Sequence, residues 1–229
     1  MQTPALYALV PCAGQGERAG SSVPKQYVEV AGRSVIAHTL AALGAVKRLH
    51  ATLVVVAPGE ALARVAIPTH TERPCWVAGV GGATRAASVA NGLQELRRRG
   101  ASDDDWVLVH DAARCLLSPQ SVDALIDACI NDAVGGLLAI PLTDTLKQGL
   151  DDRVTETLPR DGKWLAQTPQ MFRLGLLERA LGAADNATDE ASAIEALGLR
   201  PLLVRGSRAN LKLTWPEDFE LAQRWLSRT

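Results

Sequence analysis

Leu6-Tyr7-Ala8-Leu9-Val10-Pro11-Cys12-Ala13-Gly14-Gln15-Gly16-Glu17-Arg18, with Pro24-Lys25-Gln26 a short way downstream, is the stretch on which the fold turns. Leu6–Val10 is a continuous apolar run, which predicts a buried strand. It enters a loop of small residues. Gly14 and Gly16 have no side chains, so backbone N–H groups there can approach a ligand closely. Arg18 and Lys25 set two positive charges beside them. Such a loop suits a triphosphate and the charge that develops on a phosphoryl group in transfer. It lacks the Gly-x-x-x-x-Gly-Lys-Ser/Thr pattern of a Walker A loop. It also fails as a dinucleotide fingerprint. Ala19 stands at the last glycine position, Gly20-Ser21-Ser22-Val23-Pro24 breaks a helix where one should open, and no acidic residue closes a second strand roughly 20 residues on.

Outward from this loop the chain alternates. Leu6–Val10, Thr52–Ala57, Trp106–His110 and Gly136–Ile140 are short strand-like runs. Ser34–Ala45, Thr84–Arg99 and Pro119–Asp132 between them are amphipathic, with Thr84 and Ser118 placed as N-caps and Gly100 as a C-cap. Alternation of this kind predicts an α/β fold of mostly parallel, twisted sheet with helices on both faces. Ligands in such sheets bind beyond the carboxyl ends of the strands, so the loops after Val10 and His110 are the candidate sites.

The second loop, His110-Asp111-Ala112-Ala113-Arg114, ends a buried strand in an aspartate, two small residues and an arginine. Asp111 is placed to hold Mg²⁺ or a ribose hydroxyl; equally, it can cap a turn with Arg114 as its ion partner. His110 reads as a packing or hydrogen-bonding residue. A third loop, Val80-Gly81-Gly82-Ala83-Thr84-Arg85-Ala86-Ala87-Ser88, places a glycine pair before a capped helix, with Ser88 one turn inside. Free N–H groups there would face the crevice.

Composition bounds the partners. The 229 residues carry a net charge of −1, which argues against a nucleic-acid or membrane-surface partner, and 47% are hydrophobic, enough for a sizeable core. No window holds about 18 uninterrupted apolar residues, and no basic, apolar leader opens the chain. Cys12, Cys75, Cys115 and Cys129 have no metal-binding spacing and read as reduced thiols. A cytoplasmic enzyme is the expectation.

Pro11-Cys12-Ala13-Gly14-Gln15-Gly16-Glu17-Arg18, Pro24-Lys25-Gln26-Tyr27, Val109-His110-Asp111-Ala112-Ala113-Arg114, Thr168-Pro169-Gln170 and Thr188-Asp189-Glu190-Ala191-Ser192-Ala193 together resemble the motifs of the 2-C-methyl-D-erythritol 4-phosphate cytidylyltransferases of the non-mevalonate isoprenoid pathway. The first motif is common to many nucleotidyltransferases; the last three, in this order, are more specific. The resemblance implies a Rossmann-like nucleotidyltransferase fold over 1–229 as a single domain. It also implies CTP and methylerythritol 4-phosphate as substrates, with Mg²⁺ or another divalent cation. Arg18 and Lys25 then take the transition-state-stabilising positions. Arg160, Lys212, Thr145, Thr168 and Thr188 seat the acceptor. Ala13, Gly14, Gly16, Gly82, Ser88, Asp111, Ala112 and Arg114 take the nucleotide, with Asp111 the candidate metal ligand.

Pro141–Lys147 and Asp152–Arg160 alternate as a β-hairpin around a turn at Gly149-Leu150-Asp151-Asp152. The resemblance makes this arm, at about 141–163, the device of a homodimer that lends residues to a second subunit's site. Thr214, Pro216 and Glu217 predict a capped C-terminal helix whose apolar face is Phe219, Leu221, Ala222, Trp225 and Leu226. Three departures from the family pattern stand out. Ala83 replaces an acidic residue, Ala19 a bulkier one, and Cys12 an alanine, which predicts sensitivity to thiol reagents. A chain ending at Thr229 is expected to carry one activity. The rival readings are another nucleotidyltransferase on the same fold, acting on a sugar phosphate, a pentitol phosphate or a molybdenum cofactor, and a non-catalytic nucleotide sensor.

Overall fold

The computed structural model describes residues 3–14, 23–67, 73–184 and 187–227. Its elements are, in order, β1 (Leu6–Pro11), β2 (Glu29–Val30), β3 (Arg33–Ser34), α1 (Val35–Gly44), β4 (Ala51–Val55), α2 (Leu62–Ala66), β5 (Cys75–Ala78), α3 (Arg85–Arg98) and β6 (Trp106–Val109). Then come α4 (Pro119–Cys129), β7 (Gly135–Pro141), β8 (Leu146–Leu150), β9 (Arg153–Leu158), β10 (Trp164–Arg173), α5 (Leu174–Ala183), α6 (Glu190–Ala196), β11 (Leu202–Arg205) and α7 (Pro216–Leu226).

A seven-stranded sheet runs β11-β7-β10-β6-β1-β4-β5. Every neighbouring pair is parallel except those of β10, which is antiparallel to both β6 and β7. In β1, Leu9 pairs with Leu53 on one side and Val109 on the other. Alternate residues feed two cores, as a strand buried on both faces requires. Ala8 and Val10 pack among Ile36, Leu40, Leu125 and Ile126 on the α1/α4 face. Tyr7 and Leu9 pack among Val89, Leu93 and Leu177 on the α3/α5 face. The helices start where short side chains cap them. Ser34 accepts from the Ala37 N–H at 3.2 Å, Thr84 from Ala87 at 3.0 Å, and Ser118 from Ser121 at 3.2 Å. Each satisfies one otherwise orphaned donor, worth about 1 kcal/mol.

Three expectations need correction. The hairpin is shorter than its alternation suggested: β8 begins at Leu146, Pro141 still belongs to β7, and the turn is the two residues Asp151 and Asp152. Both have positive φ, +50° and +59°, the backbone of the turn that best matches strand twist. At α7 the cap shifts by one residue. The N–H groups of Thr214 and Trp215 donate to Asp218, at 2.7 and 2.8 Å, so Asp218 rather than Glu217 closes the cap. Of the α7 face, Ala222 is buried and Phe219 and Leu226 pack beside it, but Leu221 and Trp225 stay about half exposed. That third cluster joins α7 to Ala113 and Leu213, so the helix anchors loops of the crevice.

Candidate active site

The direction of strand order changes at β1: β4 and β5 lie to one side and β6 to the other. A crevice forms there, beyond the carboxyl ends of the strands, with a volume of about 350 Å³. Its walls come from Cys12–Gly14 after β1, the Gly82–Arg85 loop, Asp111–Ala113 after β6, and two lysines from remote segments, Lys25 and Lys212.

Gln26 holds the first wall. Its buried amide donates to the carbonyls of Gly14, at 2.8 Å, and Cys12, at 3.3 Å. A side chain at Gly14 would meet nothing within 4 Å among the described residues, and the space there opens on the crevice. Gly81 is different. A Cβ there would come within 2.4 Å of the Ala13 Cβ and 2.8 Å of Val56 O, so the Gly81 backbone packs directly against the Ala13 methyl group. The N–H groups expected to face a ligand from this glycine pair are used inside the protein. Gly81 donates to Val56 O at 2.8 Å and Gly82 to Ser88 Oγ at 3.1 Å.

Asp111 is the charged centre. Among the described residues lining the crevice it is the one carboxylate. Arg85 Nε donates to its Oδ1 at 2.8 Å and Lys212 Nζ to its Oδ2 at 2.8 Å, while Arg114 Nε stands 3.8 Å off. Burial pushes the Asp111 carboxyl up, but Arg85, Lys212 and Arg114 outweigh it and hold the group well below the usual carboxylate range. Arg85 also forks onto Glu190, at 2.6 and 3.0 Å, and Glu190 is 1% exposed. Burial raises the Glu190 carboxyl above its ordinary value despite Arg85.

Behind Asp111, Thr168 is buried rather than presented to the crevice. Its hydroxyl accepts from the Asp111 N–H at 3.0 Å and donates to His110 Nδ1 at 3.0 Å. His110 Nε2 in turn donates to Arg114 O at 3.2 Å, which assigns the neutral tautomer. Complete burial drives the His110 imidazole down to about 4, against the pull of Asp111. Gln170 extends the wall: its carbonyl accepts from Ala191 N at 2.7 Å and its amide donates to Asp189 at 2.9 Å. Asp189 and Ser192 complete a capping box on α6. The His-Asp-Ala-Ala-Arg, Thr-Pro-Gln and Thr-Asp-Glu-Ala-Ser segments are therefore one hydrogen-bonded unit.

The sequence-predicted site residues divide accordingly. Ala13, Gly14, Lys25, Gly82, Ser88, Asp111, Ala112 and Lys212 all line the crevice. Lys25 reaches it by donating to Leu213 O at 3.0 Å, which ties it to the Lys212 loop. Arg114 lies behind, donating to Asn210 O at 2.7 Å, and fixes that same loop instead of lining the crevice. Thr145 and Arg160 are exposed at the base of the hairpin, Arg160 donating to Thr143 O. Thr188 is exposed, its hydroxyl on Ser192 at 3.3 Å. Gly16 and Arg18 lie outside the described residues. The thiol sensitivity expected of Cys12 is corrected: the side chain is buried and burial pushes its thiol up to about 12, which leaves almost no thiolate at neutral pH. Sequence reasoning missed Arg85, Glu190 and the fastening role of Gln26 and Gln170.

No group of three or more His, Cys, Asp or Glu among the described residues is arranged to hold a metal. No described helix is long and apolar enough to cross a membrane.

The sequence profile of the 2-C-methyl-D-erythritol 4-phosphate cytidylyltransferase (IspD) family matches residues 6–228. A Bordetella petrii protein of that name is 52% identical over 232 residues, covering 98% of this chain and 100% of its own. The bifunctional enzyme IspD/IspF of Albidiferax ferrireducens is 58% identical over 222 residues, 96% of this chain and 53% of its own, so the chain spans about half of that relative. Among solved structures, a 4-diphosphocytidyl-2C-methyl-D-erythritol synthase superposes with a TM-score of 0.87 at 41% identity, covering 99% of this chain and 100% of that one. The Thermus thermophilus 2-C-methyl-D-erythritol 4-phosphate cytidylyltransferase does so with 0.79 at 32% identity, covering both chains fully. The match runs from β1 to α7 and takes in every loop around the crevice: the chain belongs to the 2-C-methyl-D-erythritol 4-phosphate cytidylyltransferase family.

Proposed function

We propose that the chain transfers CMP from CTP to 2-C-methyl-D-erythritol 4-phosphate, releasing pyrophosphate and 4-diphosphocytidyl-2-C-methyl-D-erythritol. A phosphate oxygen of the acceptor attacks the α-phosphorus in line, and the bond to the bridging oxygen of the pyrophosphate breaks. Both reactants are anions. The work of the protein is to cancel their repulsion and the charge gathering on the α-phosphoryl oxygens, which needs fixed cations and no protein nucleophile.

The observation that carries this reading is the meeting of Lys25 and Lys212, 187 positions apart by number, at the rim of one crevice beside Asp111. Lys25 stabilises the transferring phosphoryl group, with Arg18 as its expected companion. The cytosine and ribose lie against Ala13, Gly14, Gly82, Ser88 and Ala112. Lys212 takes the acceptor phosphate. CTP arrives as its magnesium complex. Both Asp111 oxygens already accept from cations, and a lone carboxylate suits an ion that draws most of its ligands from phosphate and water.

Arg160 and Thr145 act on the acceptor from the β8–β9 arm of a second subunit, in a homodimer. The support for this is that both are exposed and neither lines the crevice of its own chain. Thr188 borders the acceptor from the α6 cap, and Thr168 acts through the Asp111 backbone. Four free cysteines and a nucleotide substrate suit a cytoplasmic enzyme.

The test is pyrophosphate release with methylerythritol 4-phosphate, Mg²⁺ and each ribonucleoside triphosphate in turn. Release is expected with CTP. Equal release with ribitol phosphate as acceptor, or none with CTP, would sink the proposal.

A further inference from the structure

Arg85 joins two carboxylates at the crevice, Asp111 and Glu190, and the reaction as described gives it no task. It is the first residue of α3, directly after the loop that carries Gly82 and Thr84. Its three guanidinium nitrogens are divided between Asp111, through Nε, and Glu190, through both Nη atoms. Glu190 is the first residue of α6, next to Thr188 on the expected acceptor side. One side chain thus bridges the nucleotide loop, the β6 loop and the acceptor loop.

The two cations on Asp111 differ in what holds them. Arg85 is locked: leaving Asp111 would tear a bidentate fork from a carboxylate that is 1% exposed, stranding a buried charge. Lys212 makes a single contact, at 2.8 Å, and its side chain is 39% exposed. Without Arg85, Lys212 at 2.8 Å would be the one cation in hydrogen-bonding contact with Asp111, because Arg114 Nε stands 3.8 Å off.

We propose that Arg85 is a positioning residue: it is the fixed counter-ion of Asp111 and, anchored by Glu190, it leaves Lys212 exchangeable, so that Lys212 can pass from Asp111 to the acceptor phosphate. This rests on the reading of Lys212 given above. The geometry supports it: Arg85 holds Asp111 Oδ1 and Lys212 holds Oδ2, each at 2.8 Å, so Asp111 keeps a fixed partner when Lys212 leaves.

The experiment is steady-state kinetics in both substrates, with thermal unfolding, on four variants of the full chain. Arg85→Met should raise the KM for methylerythritol 4-phosphate by about tenfold or more, the worth of one charge-assisted contact, with a much smaller change in the KM for CTP. Arg85→Lys keeps the charge and should recover most of that loss. Arg85→Met/Glu190→Gln removes the stranded carboxylate; its melting temperature should recover toward wild type while the acceptor KM stays high. If the acceptor KM recovers together with the melting temperature in the double variant, or if Arg85→Met raises both KM values alike, Arg85 is a structural staple and the proposal falls. Lys212→Ala separates the two readings. An unchanged acceptor KM there overturns the role of Lys212 itself, and with it the ground on which the Arg85 proposal stands.

Discussion

The crevice and the β8–β9 arm are built on opposite principles. Around the crevice the described charged side chains are held by others: Lys25 by Leu213 O, Lys212 and Arg85 by Asp111, and Asp111 from behind by Thr168, itself bonded to His110. Its carboxylates are buried and compensated. The arm holds its residues loosely. All of β9 except Leu158 is exposed, Val154 and Leu150 are about two-thirds exposed, and Lys147 finds only Thr157 across the pair. An isolated two-stranded hairpin is marginally stable in water. The contrast teaches that the fold itself preorganises the crevice walls, whereas the arm that carries Thr145 and leads to Arg160 is left exposed; on the proposed function, an outside surface orders it.

The sharpest way to break this contrast is to remove a charge from the preorganised half. Lys25→Ala should lower kcat roughly 10²–10³-fold, as the loss of one fixed electrostatic stabiliser does, with the melting temperature nearly unchanged because Lys25 is only half-buried. Rapid-quench measurement of the chemical step checks it; a loss confined to KM would show that Lys25 binds the ground state instead. The next effect is on stability, and it belongs to the back wall. His110 is neutral in the fold down to about pH 4, whereas the unfolded chain takes up a proton near 6.5. The unfolded state therefore binds more protons between these values, and stability falls as pH falls, by about 3 kcal/mol at pH 4. Urea titrations of the wild type and His110→Asn give the difference. The comparison with His110→Asn removes the contribution of Glu190, whose raised value works in the opposite sense. Asp111 does not enter this window: its depressed value means that its contribution is lost only below the ordinary aspartate range.

Legibility in the sequence followed the same divide between local and distant causes. Thr84 and Ser118 announce their helices because the capping hydroxyl and the N–H that donates to it lie three residues apart. The apolar runs of β1 and β6, and of β4 apart from Thr52, announce strands buried on both faces. β10 was not legible: Pro169 argues against a central strand, and the sheet accommodates it with a register shift between Ala166 and Gln170. The α7 cap was legible only to within one residue, since Glu217 and Asp218 compete for it. Arg85 and Glu190 were not legible as a pair, because 105 positions separate them and nothing local marks either as buried. Lys212 meets Asp111 across a similar separation, and only family resemblance pointed to it.

Arg160 tests the other side of the contrast. Arg160→Ala should raise the KM for methylerythritol 4-phosphate roughly 10–100-fold without moving the melting temperature, since the exposed guanidinium holds only Thr143 O. Subunit mixing then asks whose crevice the arm serves. If it acts on the partner, an equal mixture of Lys25→Ala and Arg160→Ala proteins, allowed to exchange, regains about one quarter of wild-type activity, because half of the dimers hold one intact site. No recovery after demonstrated exchange would place Arg160 in its own subunit's site and remove the need for an outside surface.

The smallest effect probes whether the arm is an independent unit. Asp151 and Asp152 both hold left-handed backbone, which glycine adopts without strain. Asp152→Gly should stabilise the hairpin by about 0.5–1 kcal/mol and slow amide exchange in β8 and β9 roughly two- to fivefold. The turn touches neither core, so the global melting temperature should stay where it is. Exchange read residue by residue decides the point. Slowing confined to 146–158 means that the arm opens separately from the body and is ordered by whatever it meets. Slowing that spreads through β7 and β10, with a rise in melting temperature, would make the arm part of the cooperative fold. Arg160 would then be preorganised in the same sense as Lys25.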